Sequence, residues 1–500
     1  MLLLGIDIGT SSIKVSVVDA NSRKLIASAQ YPEIEMDIIS PQPGWAEQSP
    51  DSWWEHTKQA ILKCNATGTY DPLEIAAIGI AYQMHGLVMV DSQQHVLRNS
   101  IIWCDSRAVE TGDEAFDKIG HEFCLEHLLN SPGNFTASKL AWVKENEPQL
   151  FSRIDKIMLP GDFIAMKFTD QITTTASAMS EGVFWDFKIE ALSEEVNSYF
   201  GFGKYLFPAI EPVFSIHGHV KDTVAARLGL KKGIPVSYKA GDQPNNALSL
   251  NVLEPGEVAA TAGTSGVVYA VSDQLNYDPA SRVNSFAHVN HTAAEKRLGV
   301  LLCINGCGIT NRWIKKLAAG PMSYEQMNEA AATIKPGSDG LQVIPFGNGA
   351  ERMLGNQLPG GGLLNLDYNI HSSAHLFRAT QEGIAFAFRY GIDIMRENNI
   401  FPSIVRAGQA NMFLSPVFTN AFVNATGIPV ELYEGDGSIG AALGAGIGAG
   451  FYGSAKEAFE GRKPVEIVEP EQNSLYDDLY ANWKDTLMNT ITKTNELCQF

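Results

Sequence analysis

Cysteine is scarce in this chain of 500 residues, which has six cysteines and no CxxC pair. No histidines are spaced beside them in the manner of metal ligands, so the pattern argues against a zinc site and against a disulfide scaffold. At the start of the chain no basic segment precedes the apolar residues, and Asp7 follows too soon for a signal peptide. These absences favour a reducing cytoplasm as the compartment.

Positive charge is also in deficit, with 37 Lys and Arg against 56 Asp and Glu and a formal net charge of −19. Such a balance repels polyanions, so neither nucleic acid nor an anionic membrane surface is expected as a partner. Large apolar side chains are few in the uncharged stretch 437–455, which consists mainly of Gly and Ala. We therefore expect a closely packed helix of small residues there, and no membrane span.

No GxxxxGK[ST] motif occurs, and this absence disfavours a Walker-type NTPase. Three glycines, Gly448, Gly450 and Gly453, fit the pattern GxGxxG. They follow the small-residue helix rather than a strand, so we do not predict a dinucleotide site at this motif.

The composition, 45% hydrophobic and 19% charged, is that of an ordinary globular protein, and 500 residues exceed what one core organises. Periodicity predicts strands at 2–8, 13–18, 76–81, 87–90 and 299–304, and helices at 52–62, 310–319 and 376–394. The first of these helices has Asp51 or Ser52 as its expected N-cap. The chain is thus predicted to be an α/β protein with two domains.

A turn with the sequence Gly9-Thr10-Ser11 separates two apolar runs, and Gly263-Thr264-Ser265 repeats it about half a chain later. Both read as tips of β-hairpins. Glycine permits the tight turn, its amide hydrogens can point at one anion, and the two hydroxyls add donors. A single turn of this kind often has no ligand, but the pair predicts a nucleotide between two lobes.

Two aspartates stand at the ends of predicted strands beside a glycine. Asp7 belongs to the first hairpin, and Asp242 follows the apolar run 234–240 and Gly241. A short carboxylate in this position can reach a ligand held in a cleft, although it can also cap the fold internally.

These motifs resemble the FGGY family of carbohydrate kinases over nearly the whole chain. The resemblance rests on GIDIGTS (5–11), GDQ (241–243) and GTSG (263–266), and on two segments similar to the family signatures, FTASKLAWVKEN (135–146) and HSSAHLFRATQEG (371–383). It implies two actin-like (ribonuclease H-like) ATPase domains, residues 1–247 and 248–500, with a catalytic cleft between them. It also implies ATP as phosphate donor, Mg²⁺ as cofactor and a small sugar as acceptor.

Within the family, YQMHGLV (82–88) and IIWCDSR (101–107) are similar to the members that phosphorylate D-xylulose on its terminal hydroxyl. Those members touch the sugar with the Met-His pair, where glycerol kinases carry Arg-Glu. The side chains assigned to the sugar by this resemblance are Gln83, Met84, His85, Trp103, Asp242 and Gln243. Met84 and Trp103 would otherwise be core residues and His85 a structural imidazole. Because Gln243 matches glycerol kinase-like members, glycerol, L-ribulose and gluconate stay open as alternatives.

The resemblance also implies the remaining roles. Asp242 is the candidate base, and Asp7 is expected across the cleft, where both carboxylates organise Mg²⁺ largely through water. The residues assigned to the nucleotide are Thr10 and Ser11 at the transferred phosphate, Gly263 and Thr264 at the other phosphates, and Gly408 and Asn411 near the adenosine.

Some positions depart from the family pattern or carry no expected contact with ligands. The run AGQAN (407–411) replaces a commoner GGGA run, which leaves the adenine contacts less defined than the phosphate contacts. Lys139, Arg378 and Glu382 lie in the two signatures on helical patterns, so we expect structural or surface roles for them.

Two functions outside this assignment remain open at the level of the sequence. An actin- or chaperone-like ATPase would share the hairpins without a pocket for a small polyol, and a sugar sensor would bind without turnover. The expected partners are a small sugar and MgATP, and a homodimer is compatible with the sequence.

Overall fold

The computed structural model describes residues 1–471 and 474–497, so Cys498 lies outside the described residues. The helices are α1 (Pro50–Asn65), α2 (Val109–Ile119), α3 (His121–Phe123), α4 (Thr136–Asn146), α5 (Pro148–Phe151), α6 (Pro160–Thr169), α7 (Ala176–Glu181), α8 (Glu194–Phe200), α9 (Asp222–Leu228), α10 (Asp242–Ser249), α11 (Gly308–Ala318), α12 (Tyr324–Ala332), α13 (Ser373–Glu397), α14 (Pro416–Thr426), α15 (Gly437–Gly448), α16 (Ala455–Ala458) and α17 (Leu475–Leu497).

The strands are β1 (Leu2–Ile8), β2 (Ile13–Asp19), β3 (Leu25–Tyr31), β4 (Glu47–Gln48), β5 (Ile75–Tyr82), β6 (Val88–Val90), β7 (Ser100–Ile101), β8 (Lys156–Met158), β9 (Thr173–Thr174), β10 (Trp185–Asp186), β11 (Ala191–Leu192), β12 (Ala209–Ile210), β13 (Gly218–His219), β14 (Pro235–Gly241), β15 (Glu257–Ala262), β16 (Gly266–Ser272), β17 (Asn284–Ala287), β18 (Leu298–Ile304), β19 (Gln342–Phe346), β20 (Gly360–Leu364), β21 (Ile404–Gly408), β22 (Val430–Tyr433) and β23 (Glu466–Val468).

The first large sheet has six strands in the order β13-β14-β5-β1-β2-β3, and we call the part of the chain around it the first lobe. β1 and β2 form the predicted hairpin, in which Ile8 pairs with Ile13. β1, β5 and β14 are parallel, and the register places Ile8, Tyr82 and Gly241 side by side. Because parallel strands end at the same edge, the residues that follow these three strands meet at one place.

The second large sheet has seven strands in the order β17-β18-β16-β15-β21-β22-β23, and the part around it is the second lobe. β15 and β16 form the second predicted hairpin, with Ala262 paired to Gly266, and β15 is parallel to β21. Each lobe therefore carries a hairpin flanked by a parallel strand. This duplication confirms the predicted mixed α/β architecture with two sheet-containing lobes.

The N-terminus of α1 differs from the prediction. The capping residue is Ser49, whose hydroxyl accepts a hydrogen bond from the backbone N–H of Ser52. Pro50 then occupies the first helical position, which suits a residue without a backbone N–H and with a fixed φ. The helix consequently begins earlier than the expected caps, Asp51 or Ser52.

Helix α15, the predicted small-residue helix, lies across the sheet of the first lobe although its sequence belongs to the second half. A Cβ atom added at Gly5 would lie 1.8 Å from the carbonyl oxygen of Ser438, and one at Gly79 would lie 2.0 Å from that of Ala441. Only glycine in the strands allows this approach. Among the described residues, no helix is both long and apolar enough to cross a membrane. The predicted domain boundary between residues 247 and 248 falls inside α10 and stays a prediction.

The lobes contact each other through the edge strand β17. Asn130 of the first lobe bonds both backbone groups of Ser285, at 2.7 Å to its oxygen and 3.0 Å to its nitrogen. On α7, the hydroxyl of Ser177 donates to the backbone oxygen of Ala287 at 2.7 Å, and that of Ser180 accepts from the backbone N–H of Ala287 at 2.9 Å. Polar side chains of the first lobe thus satisfy the free edge of the second sheet.

Candidate active site

Asp7 and Asp242 lie at the same edge of the first sheet. Asp7 is the last residue but one of β1, and Asp242 begins α10 directly after β14, with β5 between the two strands. The expectation that Asp7 stands across the cleft is therefore wrong. The parallel register brings the two carboxylates together on one lobe.

Their environment disfavours two negative charges. Burial, followed by the charge of Asp7, raises the pKa of Asp242 to about 7. Burial and the charge of Asp436 raise the pKa of Asp7 to about 6, against the opposing effect of Lys14. Carboxylates held in this way gain stability from a bound cation or from a proton, and one of them can accept a proton near neutral pH.

Cys303 of the second lobe, near the end of β18, is close enough to Asp242 to be affected by its charge. This side chain keeps contact with solvent, yet the pKa of its thiol is raised to about 11 by burial and, opposed by Arg352, by the charge of Asp242. Solvent access with protein on most sides is typical of a cleft. Helix α10, which Asp242 begins, contacts β15 and β16 of the second lobe, so Asp242 lies near the place where the two lobes meet.

A hydrogen-bonded network joins the tip of the first hairpin to two residues assigned to the sugar. The Thr10 hydroxyl donates to the side-chain oxygen of Gln83 at 3.1 Å and accepts from the indole of Trp103 at 2.9 Å. Gln48 donates to the Thr10 carbonyl at 2.8 Å and accepts from Gln83 at 3.0 Å. Trp103 is 52% exposed, so it is not the core residue of the alternative interpretation. Ser11, at the tip of the hairpin, is also exposed.

Met84 and His85 follow β5 at the same edge. Met84 is buried, and its Cγ would lie 2.6 Å from a Cβ atom placed at Gly241, next to Asp242. His85 has a φ of +63° and contacts the backbone oxygen of Glu181 through Nδ1 at 3.0 Å. A carbonyl only accepts, so Nδ1 carries the proton.

Burial and the positive charge of Lys139 lower the pKa of His85 to about 3. Its imidazole is therefore neutral, and Nε2 holds a free lone pair. The ring also reaches the second lobe, because its centroid lies 5.4 Å from that of Phe286 on β17. Gln243, the last residue assigned to the sugar, has a buried side-chain oxygen without a hydrogen-bond partner among the described residues.

The second hairpin tip is fixed by helix α11. The backbone N–H groups of Gly308 and Ile309 donate to the carbonyls of Gly263 and Thr264 at 2.9 and 3.1 Å. A Cβ atom at Gly308 would lie 2.3 Å from the Gly263 oxygen, so glycine is needed there. Thr264 is exposed, which leaves its hydroxyl available to a ligand.

A pocket of about 860 Å³ opens beside this tip in the second lobe. Of the residues assigned to the nucleotide, Gly263, Thr264 and Asn411 line it, while Gly408 ends β21 outside the lining. Other lining residues that sequence analysis missed include Asn311, Asn328 and Ser415. They come from α11, α12 and the start of α14, and no motif marked them.

Sequence analysis also missed the turn Asp436-Gly437 that precedes α15. A Cβ atom at Gly437 would lie 2.7 Å from Oδ2 of Asp7, so the turn stands against that carboxylate. Asp436 caps the helix by accepting from the N–H and hydroxyl of Ser438 at 3.0 and 2.6 Å. A third acidic residue beside a glycine was the signal that could have found it.

The signature residues are structural and buried. The Lys139 ammonium donates to the carbonyls of His85 and Ile102 at 2.9 and 3.0 Å, and burial lowers its pKa to about 7. Arg378 and Glu382 form an ion pair of 2.8 Å with small exposed fractions of 7% and 3%. None of the three is a surface residue, since each supports the backbone around it.

Comparisons with known proteins agree with this arrangement. The model of the N-terminal domain of the FGGY family of carbohydrate kinases matches residues 2–249. A protein of Bacillus subtilis described as xylulose kinase is 28% identical over 98% of this chain and 99% of its own.

Two solved structures share the fold. The xylulose kinase from Rhodospirillum rubrum has a TM-score of 0.87 and 24% identity over 98% of this chain and 99% of its own. Plasmodium falciparum glycerol kinase with ADP also has a TM-score of 0.87, with 18% identity over 98% of each chain. At these identities the structural likeness shows the fold alone, which serves more than one acceptor.

Proposed function

Because the chain belongs to the FGGY family of carbohydrate kinases, we propose that it transfers the γ-phosphate of ATP to the terminal hydroxyl of D-xylulose, giving D-xylulose 5-phosphate. The observation that carries the proposal is the position of Asp242, beside the Met84 segment and Asp7 at one sheet edge. The full-length similarity to proteins described as xylulose kinases supports the choice of sugar.

Asp242 accepts the proton of the attacking hydroxyl. A base functions best when its pKa lies near the working pH, and burial together with Asp7 brings the pKa of Asp242 to about 7. Phosphoryl transfer passes through a loose transition state, so positioning of the hydroxyl contributes at least as much as removal of the proton.

Mg²⁺ fits the pair of carboxylates. Asp7 and Asp242 are neighbouring oxygen donors whose pKa values are raised to about 6 and 7, mainly by burial, so a bound cation would favour their charged forms. These two residues would hold the ion largely through water. When bound, Mg²⁺ neutralises part of the charge on the phosphates.

The two hairpin tips hold the phosphates. Thr10 lies at the first hairpin tip beside Trp103, so we assign it, with Ser11, to the phosphate that is transferred. Gly263 and Thr264 line the large pocket of the second lobe, and we assign them to the other phosphates. Asn411 lines the same pocket and, with Gly408 nearby, is assigned to the adenosine.

The remaining side chains orient the sugar. Nε2 of neutral His85 accepts a hydrogen bond from a sugar hydroxyl, and the unpaired side-chain oxygen of Gln243 accepts another. Half-exposed Trp103 provides an apolar face for the carbon chain, and Met84 and Gln83 close the site. Closing of the lobes over such a site excludes water, which limits hydrolysis of ATP.

The alternatives are less well supported. Glycerol, L-ribulose and gluconate would require other acceptor contacts, and relatives with nearly complete coverage are described as xylulose kinases. A silent sensor would not need Asp242 as a base, and an actin- or chaperone-like ATPase would not need the Met84 and His85 segment beside it. We place the reaction in the cytoplasm, where ATP is available, and include a homodimer among the assemblies to test.

A coupled ADP-release assay with D-xylulose, L-ribulose, glycerol and gluconate tests the proposal. We expect the highest kcat/KM for D-xylulose and ADP release in proportion to sugar consumed. A clear preference for another acceptor would refute the xylulose assignment, ADP release without sugar would indicate an ATPase, and sugar binding without release would indicate a sensor. Light scattering of the same sample reports the assembly.

A further inference from the structure

Glu181, the last residue of α7, is a buried carboxyl group that lacks a hydrogen-bond partner. Its side chain is 2% exposed, and neither Oε1 nor Oε2 is bonded to any part of the chain that the structure describes. Buried polar atoms in folded proteins nearly always have a partner. The unpaired carboxyl of Glu181 therefore indicates a hydrogen-bond partner from outside the chain, such as a bound ligand.

Two other buried carboxylates of this chain show the usual situation. Asp162 accepts from Lys239 at 2.6 Å and from Thr174 at 2.9 Å. Glu382 pairs with Arg378 at 2.8 Å and also accepts from a backbone N–H and a hydroxyl. Both residues hold neighbouring elements together, whereas the carboxyl of Glu181 forms no such bond.

The carboxyl of Glu181 lies among the segments assigned to the sugar. Its Oε2 would be 2.9 Å from a Cβ atom at Gly241, whose other close neighbour is Met84. The carbonyl of the same residue orients His85 through Nδ1. Glu181 thus touches both strand ends from which Met84, His85 and Asp242 project.

The electrostatic environment suits contact with a hydroxyl. Burial, followed by the charge of Asp242, raises the pKa of Glu181 well above its ordinary value, against the opposing effect of Lys139. A neutral carboxyl group has one donor and acceptor capacity on its other oxygen, as a sugar hydroxyl does. The hydroxyl of Tyr82 lies near the carboxyl and lowers this pKa more than Lys139 does, but it does not reach hydrogen-bond geometry with either oxygen of Glu181.

We propose that Glu181 binds a hydroxyl group of the sugar other than the one that is phosphorylated, and so determines which sugars are accepted. The proposal rests on the proposed function for the nature of the ligand. Asp242 serves the reacting hydroxyl, and the Glu181 carboxyl stands beside the preceding residue, Gly241, so it is placed to contact another part of the same sugar.

The experiment compares Glu181→Ala and Glu181→Gln with wild type on D-xylulose and its 1-deoxy, 3-deoxy and 4-deoxy analogues. Wild type should prefer D-xylulose over one analogue by about tenfold to a hundredfold because that analogue leaves Glu181 unpaired. In Glu181→Ala this one preference should disappear, with KM for D-xylulose raised by a similar factor and kcat changed much less. Glu181→Gln keeps the volume and both hydrogen-bonding functions, so it should retain most of the preference.

Glu382→Gln is the control for a buried carboxyl that acts only in folding. It should lower the thermal midpoint without changing any preference among the analogues. An equal loss on all analogues in folded Glu181→Ala, or no change at all, would overturn the proposal, as would an altered Mg²⁺ requirement with unchanged sugar preference. If Glu181→Ala does not fold, an unchanged wild-type preference in Glu181→Leu would overturn it equally.

Failure of the proposed function gives a different result. If wild type phosphorylates another neutral acceptor, the xylulose assignment is wrong, and the deoxy analogues of that acceptor apply the same test to Glu181. If calorimetry detects no binding of any sugar or polyol, both the function and the role of Glu181 are refuted.

Discussion

The indole N–H of Trp103 donates to the hydroxyl of Thr10 across 2.9 Å. Trp103 is assigned to the sugar and Thr10 to the transferred phosphate, so a single hydrogen bond links the acceptor side of the site to the donor side. The same hydroxyl donates to Gln83, which fixes its direction.

Replacing Trp103 by Phe keeps an aromatic face but removes this donor. We expect kcat/KM for the sugar to fall by about two- to tenfold, the usual range for one neutral hydrogen bond. Thr10→Val, which loses both bonds of the hydroxyl, should have a larger effect, and Thr10→Ser should restore most of it. Steady-state kinetics would contradict the linkage if Thr10→Ser were as impaired as Thr10→Val.

The side chain of Thr264 should contribute to the binding of the nucleotide and not to the binding of the sugar. Thr264→Val removes a hydroxyl that lines the large pocket and should weaken MgATP binding by roughly tenfold to a hundredfold, as for a charge-assisted bond. Calorimetry with a nonhydrolysable analogue measures this, and Thr264→Ser is the matched control. Equal nucleotide affinity in Thr264→Val and wild type would refute the assignment of the second hairpin to phosphate binding.

Asp242→Asn preserves shape and removes the base. Turnover at saturating sugar and MgATP should fall by roughly 10²–10⁴-fold while sugar affinity changes little. Asp273→Asn, at an exposed position after β16, should keep wild-type turnover. Near-normal turnover in folded Asp242→Asn would assign proton removal to another group.

His217 gives a pH dependence of stability. Burial and the charge of Lys239 lower its pKa to about 3, while an unfolded histidine titrates near 6.5. Between these values the unfolded state binds one more proton, so this residue's contribution to stability is present above pH 6.5 and is lost as the pH falls.

His217→Asn should accordingly lose less stability than wild type when the pH falls from 6 to 5. The difference in unfolding free energy between the two proteins should shrink by about 1.4 kcal/mol per pH unit. Urea denaturation at several pH values measures it. Parallel pH profiles would show that His217 has the same proton affinity in the folded and unfolded states.

Gly79→Ala tests the packing of α15. The added Cβ would meet backbone atoms of Ala441 at 2.0 and 2.8 Å, so the helix must shift. We expect a loss of at least about 1–3 kcal/mol in unfolding free energy. Gly453→Ala, whose Cβ would meet only a flexible glutamate side chain at 3.2 Å, should change stability by less than about 0.5 kcal/mol.

The two hairpins were predictable because their signal is local. Two apolar runs around a Gly-Thr-Ser turn determine β1–β2 and β15–β16 without information from the rest of the chain. The position of Asp7 was not predictable in this way, because it depends on the order in which β14, β5 and β1 pair. The cap of α1 was missed because Pro50 displaces it by a few residues.

Parts of the site that depend on distant contacts had no sequence signal. Glu181 ends a short helix of six residues, and its burial against Gly241 appears only when α7 and β14 are brought together. The residues of the large pocket likewise come from α11, α12 and α14, which share no motif. For Lys139 the helical pattern left a structural and a surface role open, because the elements that bury its long side chain are distant in the sequence.

Helix α15 has a consequence for the order of events on the ribosome. The last large strand of the first sheet, β14, is complete at residue 241, but the helix that covers this sheet ends at residue 448. At roughly 5–20 residues per second, the nascent first lobe waits on the order of 10–40 s with an uncovered apolar face. The first lobe therefore completes its packing only after most of the second lobe has been synthesised, so the two lobes do not mature one after the other.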